Sequence, residues 1–177
     1  NNKTQKIKLL NSIELKEDKL KIIPQGIDLS RFKILKDIER EPHSFGFTGR
    51  LYEHKGLLDA VDFISEIKKK CPDVKYYIAG NFETEEFEKK LKVKIKDLGL
   101  TENVEFLGYL TGNELVKFYN RISYLLFLSK HESFGKSVVE SMACGVVPII
   151  KSDSSGPEEI IQEKYGYTFS NDKKSEL

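Results

Sequence analysis

From residue 44 onward the chain alternates short apolar runs with amphipathic stretches, and no other feature constrains the fold as tightly. Phe45-Gly46-Phe47-Thr48-Gly49 is an apolar run that ends on glycine. Residues 55–70 follow, with Leu57, Leu58, Val61, Ile64 and Ile67 at the spacing of one helix face. A β-rich run over 74–79 closes on Gly80, and a helix over 83–98 gathers Phe87, Leu91, Ile95 and Leu98 on one side. A strand over 104–107 ends at Gly108, and a helix over 111–121 opens with Thr111 and Glu114 at capping-box spacing. Residues 124–128 are apolar throughout, as expected of a strand buried on both faces. A helix over 135–144 stopped by Gly145, a strand over 146–150 and a short helix over 156–162 complete the series. Strands separated by helices of this length imply an α/β domain: a parallel sheet, helices on both faces, right-handed crossovers.

This regular domain spans 44–177. Residues 1–43 read as an inter-domain or linker segment. Its first 20 residues are polar with a weak helical pattern at Ile7, Leu9, Leu10 and Ile13. A short strand is expected at 21–24, around Ile22-Ile23, with a turn at Pro24 and Gly26. Residues 33–43 are charged and irregular, the pattern of a surface connection. The start at Asn1 rather than Met suggests a fragment of a longer protein.

Composition narrows the partners. The formal net charge is +1, which argues against a nucleic-acid partner held by bulk electrostatics. Lys68-Lys69-Lys70 and Lys89-Lys90 suit solvated helix faces, with weak attraction to an anionic membrane surface as the alternative. Two cysteines, Cys71 and Cys144, make no disulfide framework, and a reducing, cytoplasmic setting is the simpler expectation. No metal-ligand spacing links them to His43, His54 or His131, so no metal site is expected. No apolar run approaches the ~20 residues that span a bilayer.

Ligands of parallel sheets sit at the carboxyl ends of the strands, where loops lead into helices. Gly49-Arg50-Leu51-Tyr52-Glu53-His54-Lys55-Gly56 places an arginine fork and a mobile lysine charge at such an end, a pair suited to a diphosphate. Ordinary surface cations would look the same. Neither a G-x-G-x-x-G fingerprint nor a P-loop follows the strand. The loop over 129–136 contains Ser133, a candidate helix cap, and Gly135, where a ligand can approach the backbone. Free N–H groups near Phe134 and Gly135 would bind an anion. Glu140 lies a little over one turn into the helix. It suits either vicinal ribose hydroxyls or two plainer roles, easing the helix end and pairing with Lys136. Glu132, ahead of the helix, stands where a sugar would meet it.

Glu132 and Glu140 are separated by seven residues within His-Glu-Ser-Phe-Gly-Lys-Ser-Val-Val-Glu-Ser-Met-Ala-Cys-Gly. With Phe-Gly between the acids and Glu-Ser-Met-Ala-Cys-Gly following, this resembles the Glu-x7-Glu signature of the group 1 retaining glycosyltransferases, glycosyltransferase family four. The likeness extends through most of the chain. Residues 22–28 with Phe32 resemble the segment joining that family's two domains. Residues 49–56 resemble its phosphate-binding Arg and Lys, residues 104–110 the strand and loop near the base, and residues 152–159 the loop after the signature helix. Gln25 stands where Asn is common, and His131 precedes Glu132 where other residues are more usual. A site role for His131 competes with that of a partly exposed loop histidine.

The resemblance implies a Rossmann-like domain forming the C-terminal, donor-binding half of a GT-B fold. It implies that Gly49, Arg50 and Lys55 hold the donor diphosphate, that Ser133, Phe134, Gly135 and Lys136 surround sugar or phosphate, and that Glu132 contacts the transferred sugar. Glu140 would hold the ribose, and Tyr109 and Leu110 would flank the base. Arg50, Lys55 and Glu132 would carry the chemistry. The donor would be a UDP-sugar or GDP-sugar and no cofactor would be required, since cations replace the metal that an Asp-x-Asp motif would bind. An N-terminal acceptor domain would be a separate partner, the acceptor a saccharide or glycolipid, and the parent enzyme would work in the cytoplasm with peripheral contact at the inner face of the membrane. Such a domain alone would bind donor and transfer little sugar. The alternatives are the nucleotide-sugar domain of another GT-B enzyme, such as an epimerase or phosphorylase, or a non-transferring binding module. An NAD-type oxidoreductase is disfavoured by the missing glycine fingerprint, and a purely structural role leaves the paired acids and cations unexplained.

Overall fold

The computed structural model of the chain describes residues 6–7, 10, 12, 17–21, 23, 25–130, 132–151, 156–161 and 164–169. Its strands are β1 (Ser44–Thr48), β2 (Lys75–Ala79), β3 (Val104–Gly108), β4 (Tyr124–Phe127), β5 (Val147–Lys151) and β6 (Tyr167–Phe169). Helices α1 (Leu57–Lys70), α2 (Glu85–Asp97), α3 (Gly112–Arg121), α4 (Lys136–Ala143) and α5 (Gly156–Ile161) follow β1 to β5 in turn. The six strands form one sheet in the order β3-β2-β1-β4-β5-β6, and every pairing is parallel. This is the Rossmann-like arrangement expected, with its topological switch between β1 and β4.

Strand parity explains the two layers. Phe45 and Phe47 of β1, Tyr76 and Ile78 of β2, Leu126 of β4 and Ile149 of β5 join one core, together with Leu57, Val61 and Ile64 of α1 and Leu91 of α2. The alternate residues, Tyr77, Leu125, Phe127 and Ile150, join the other, together with Val116 and Phe118 of α3 and Val138 of α4. Period-two side chains thus feed helices on both faces of the sheet. Each such aliphatic side chain, fully buried, stabilises the fold by about 1.5–3 kcal/mol before entropy is counted.

The expected helix and strand ends shift by a residue or two, with physical reasons. The helix expected from residue 55 begins at Leu57, because Gly56 takes a left-handed φ of 76° and separates it from a 3-10 turn over Glu53–Lys55. The capping box of Thr111 and Glu114 does not form. Gly112, at φ 55°, distorts the first turn, and the Glu114 N–H donates to the Thr111 carbonyl instead, 3.1 Å. Thr84 is the residue that caps a helix, accepting from the Phe87 N–H at 3.2 Å. Strand β6 was not anticipated. It has three residues, lies at the sheet edge and leaves Tyr167 exposed, so no apolar alternation marks it.

In the first segment, Lys6, Ile7, Leu10 and Ser12 are helical, while Leu9 and Ile13 lie outside the described residues. Of the strand expected at 21–24, Lys21 and Ile23 take no regular structure, and Ile22 and Pro24 lie outside the described residues. Residues 33–43 are irregular as expected, and with Phe32 they are strapped to the domain by specific contacts. Phe32 is buried in the second core, 6.2 Å between ring centres from Tyr119. Leu35 N–H donates to the buried Asn120 side chain at 2.8 Å, and Arg40 donates to the carbonyls of Ile122 and Cys144. Glu41 accepts from Arg121 Nε at 2.5 Å and from Tyr77 at 2.6 Å. The pairing of β1 with β2 also brings His43 beside Cys71 and Asp73, a cluster that sequence spacing did not suggest because His43 reaches the other two only across the sheet. Among the described residues no helix is long and apolar enough to cross a membrane.

Candidate functional site

The carboxyl ends of β1 and β4 meet at the switch point, and two loops converge there. Gly56 makes the convergence possible: a side chain on it would fall 2.1 Å from the Leu128 carbonyl oxygen, so only glycine lets the loop after β1 lie against the end of β4. The Lys130 N–H then donates to the His54 carbonyl at 3.2 Å. This stitch carries Lys55 across to Glu132, and Lys55 Nζ donates to Glu132 Oε2 at 2.7 Å, with both side chains only about one-fifth exposed (20% and 22%).

That pair stands in a cleft of about 430 Å³ lined by Thr48, Gly49, Arg50, Tyr52, His54, Lys55, Glu132, Lys136 and Ser137, over Phe47 and Phe127. Arg50 is exposed and Nη1 donates to the Tyr52 hydroxyl at 3.1 Å, while the Tyr52 ring stacks on His54 at 5.1 Å. The cleft therefore holds an arginine fork, two lysines, one carboxylate and an aromatic edge.

A second cavity of about 270 Å³ adjoins it and shares Lys136. Its wall comprises Tyr109, Leu110, Thr111, Gly112 and Leu115, Lys136 and Glu140, and the segment Gly26, Ile27, Asp28, Arg31 and Phe32. Tyr109 is 70% exposed, leaving a ring face free at the rim. Glu140 is 7% exposed, unusual for a carboxylate. Burial raises its pKa, against the opposing effects of Lys136, whose Nζ lies 3.6 Å from Oε1, and of Tyr119, whose hydroxyl reaches Oε2 at 3.4 Å. The Tyr119 hydroxyl also meets Thr48 Oγ1 at 2.8 Å, so the end of β1 and the carboxylate share one buried contact chain. Burial pushes the Tyr119 phenol far above its ordinary value, and it stays protonated.

The helix tip differs from the expectation in one respect. Gly135, not Ser133, is the N-cap of α4; it takes φ 83°, and no side-chain cap bond forms. A side chain on Gly135 would press on Pro157 at 2.8 Å, so its glycine serves the seating of α5 as well as the turn. Among the described residues, no backbone carbonyl accepts from the N–H groups of Phe134 and Gly135. Ser133, Phe134 and Gly135 form part of neither cavity wall, whereas Lys136 at the tip lines both.

The fold thus gathers Gly49, Arg50, Lys55, Glu132 and Lys136 in one cleft and Tyr109, Leu110, Lys136 and Glu140 in the next. His131 lies outside the described residues. Sequence reasoning missed Thr48 and Arg31, which line the cavities, and Tyr119, whose hydroxyl reaches Glu140. Tyr119 sits at a core position of α3, and nothing local distinguishes its buried hydroxyl from packing.

The family model described as "Glycosyl transferases group 1" matches residues 31–177. The chain belongs to the group 1 glycosyl transferases. Against mannosylfructose-phosphate synthase of Agrobacterium fabrum, this group 1 chain is 30% identical over 156 residues, which is 80% of its own length and 34% of that protein. It therefore spans about a third of the length of this curated relative. The C-terminal domain of the group 1 protein LpcC from Francisella tularensis resembles it at TM-score 0.72 and 25% identity, over 82% of this chain and 80% of that one. HepE of Anabaena, in complex with UDP-glucose, shares the fold at TM-score 0.82 and 21% identity, over 96% of this chain and 48% of HepE. The match to an isolated C-terminal domain makes this a group 1 domain of the C-terminal kind.

Proposed function

We propose that this chain binds a nucleoside-diphosphate sugar as the donor half of a retaining glycosyltransferase that passes a hexosyl group to a saccharide or glycolipid. The carrying observation is that Lys136 lines both cavities, with Glu140 and the Tyr109 ring beside it in one and Glu132, Arg50 and Lys55 in the other. That layout suits base and ribose in the smaller cavity and diphosphate and sugar in the larger. HepE, a protein of the same fold, has been seen with UDP-glucose, and this supports a donor of UDP-sugar or GDP-sugar type.

In this reading Tyr109 and Leu110 flank the base, and Glu140 accepts from the two vicinal ribose hydroxyls, each bond contributing ~1.5–3 kcal/mol. The diphosphate lies between Arg50, Lys55 and the α4 tip. Leaving-group departure builds negative charge on the β-phosphate oxygen, and fixed cations with helix N–H groups stabilise that charge. Glu132 meets the sugar hydroxyls. Because Lys55 is paired with Glu132, the incoming diphosphate competes for the lysine and releases the carboxylate toward the sugar. Diphosphate capture and sugar capture are thereby coupled. The segment ahead of residue 44 would join this domain to an N-terminal acceptor domain, and the chain alone would turn over little donor.

The test is calorimetry with UDP-, GDP- and ADP-sugars. One UDP- or GDP-sugar is expected to bind at a single site, with affinity reduced roughly tenfold or more in Arg50→Ala as a charge-assisted phosphate contact is lost. No binding of any nucleotide sugar, or binding that ignores Arg50→Ala, would overturn the reading.

A further inference from the structure

At the opposite rim of the sheet, by the amino ends of β1 and β2, three side chains of different chemistry converge. His43, Cys71 and Asp73 each offer one ligating atom, and these atoms all lie within 4.8 Å of one another. Cys71 Sγ is 2.9 Å from Asp73 Oδ1, and His43 Nδ1 is 3.9 Å from the same oxygen. We infer that His43, Cys71 and Asp73 form a binding site for a divalent cation of the zinc class.

The ligand set decides the class of ion. A thiolate, an imidazole and a carboxylate match zinc and its neighbours, whereas magnesium and calcium take oxygen ligands. Bonds of about 2.0–2.3 Å in a tetrahedron put ligand atoms about 3.3–3.7 Å apart, between the 2.9 Å of Cys71–Asp73 and the 3.9 Å of His43–Asp73 found here. Three protein ligands leave the fourth position to water.

Backbone hydrogen bonds and core packing hold the frame behind the ligands. Cys71 ends α1, its N–H donating to Ile67 at 2.9 Å, and its side chain packs on the first core. The turn carrying Asp73 is pinned by the buried Asn103, whose amide donates to the carbonyls of Pro72 at 3.1 Å and Val74 at 2.8 Å. His43 is held by the Lys75 N–H, which donates to its carbonyl at 3.2 Å. Among the described residues His43 is the only non-glycine with positive φ, at 53°. An L residue is rarely found there unless its surroundings hold it.

On binding, the metal replaces the thiol proton that Cys71 shares with Asp73, so one proton is released to solvent as the metal–sulfur bond forms. The bound ion would staple the start of β1 to the α1–β2 turn, far from the donor cleft, and so independently of what that cleft binds.

Cobalt(II) titration of the full, tag-free chain tests this. One equivalent is expected to give a near-ultraviolet thiolate-to-cobalt band and to be displaced by zinc, and zinc should raise the Tm. The band should vanish in Cys71→Ser and persist in Cys144→Ala, while His43→Gln and Asp73→Asn should weaken binding by roughly tenfold or more. Each changed side chain is at least partly exposed except Cys144, so equal Tm values without metal will show that the variants fold. Absence of the band, its survival in Cys71→Ser, or unchanged affinity in His43→Gln would overturn the site.

Discussion

Glu140, proposed to hold the ribose, works against stability. Burial raises its pKa, so the folded chain binds the Glu140 proton more readily than the unfolded chain does. The sign follows: stability attributable to Glu140 is greatest below the ordinary value of 4.5 and falls as pH rises through the raised one. Glu140→Gln should therefore gain Tm over the parent at pH 7 and gain little at pH 4, measured by differential scanning fluorimetry. The same variant should lose nucleotide affinity, because an amide replaces an acceptor for two hydroxyls. Tyr119→Phe is expected to weaken nucleotide binding as well, through a less ordered carboxylate, and calorimetry checks both. The two acids were legible in the sequence because their spacing is a signature. The Tyr119 contact was not, because it joins α3 to α4 and β1 across the core. The pairing of Lys55 with Glu132 was equally hidden, since 77 residues separate them.

At the scale of elements, the loop geometry rests on Gly56. Gly56→Ala forces a side chain against the Leu128 carbonyl and into a left-handed backbone, and it should cost at least about 1–3 kcal/mol in urea denaturation. If the loop separates from β4, Lys55 leaves the cleft and nucleotide affinity falls with stability. The strap over residues 31–43 makes a second claim. Burial alone would raise the Glu41 pKa, but bonds from Arg121 and Tyr77 outweigh it and hold the carboxyl below its ordinary value. Stability from Glu41 is thus present above about 4.5 and lost as pH falls through the lowered value. Glu41→Gln should lower Tm at pH 7 and converge with the parent in acid. Apolar periodicity made the helices and the first five strands legible, whereas caps were not, because the left-handed Gly112 and Gly135 decide where Thr111 and Ser133 point. Charged residues made the strap read as a surface connection, since its hold depends on partners more than 30 residues away.

For the whole molecule, the account depends on two cavities acting as one site across the switch point of the sheet. A sheet ordered β3-β2-β1-β4-β5-β6 places the loops after β1, β3 and β4 around a single crevice, which is why residues from 49 to 140 can serve one ligand. The most direct measurement is an NMR titration of the labelled chain with UDP or GDP, following backbone amides. The account expects the amides of Arg50 and Lys55, of Tyr109 and Leu110, and of Gly135 and Lys136 to shift together on one isotherm. Shifts confined to one of the two cavities, or two cavities responding with different affinities, would contradict it.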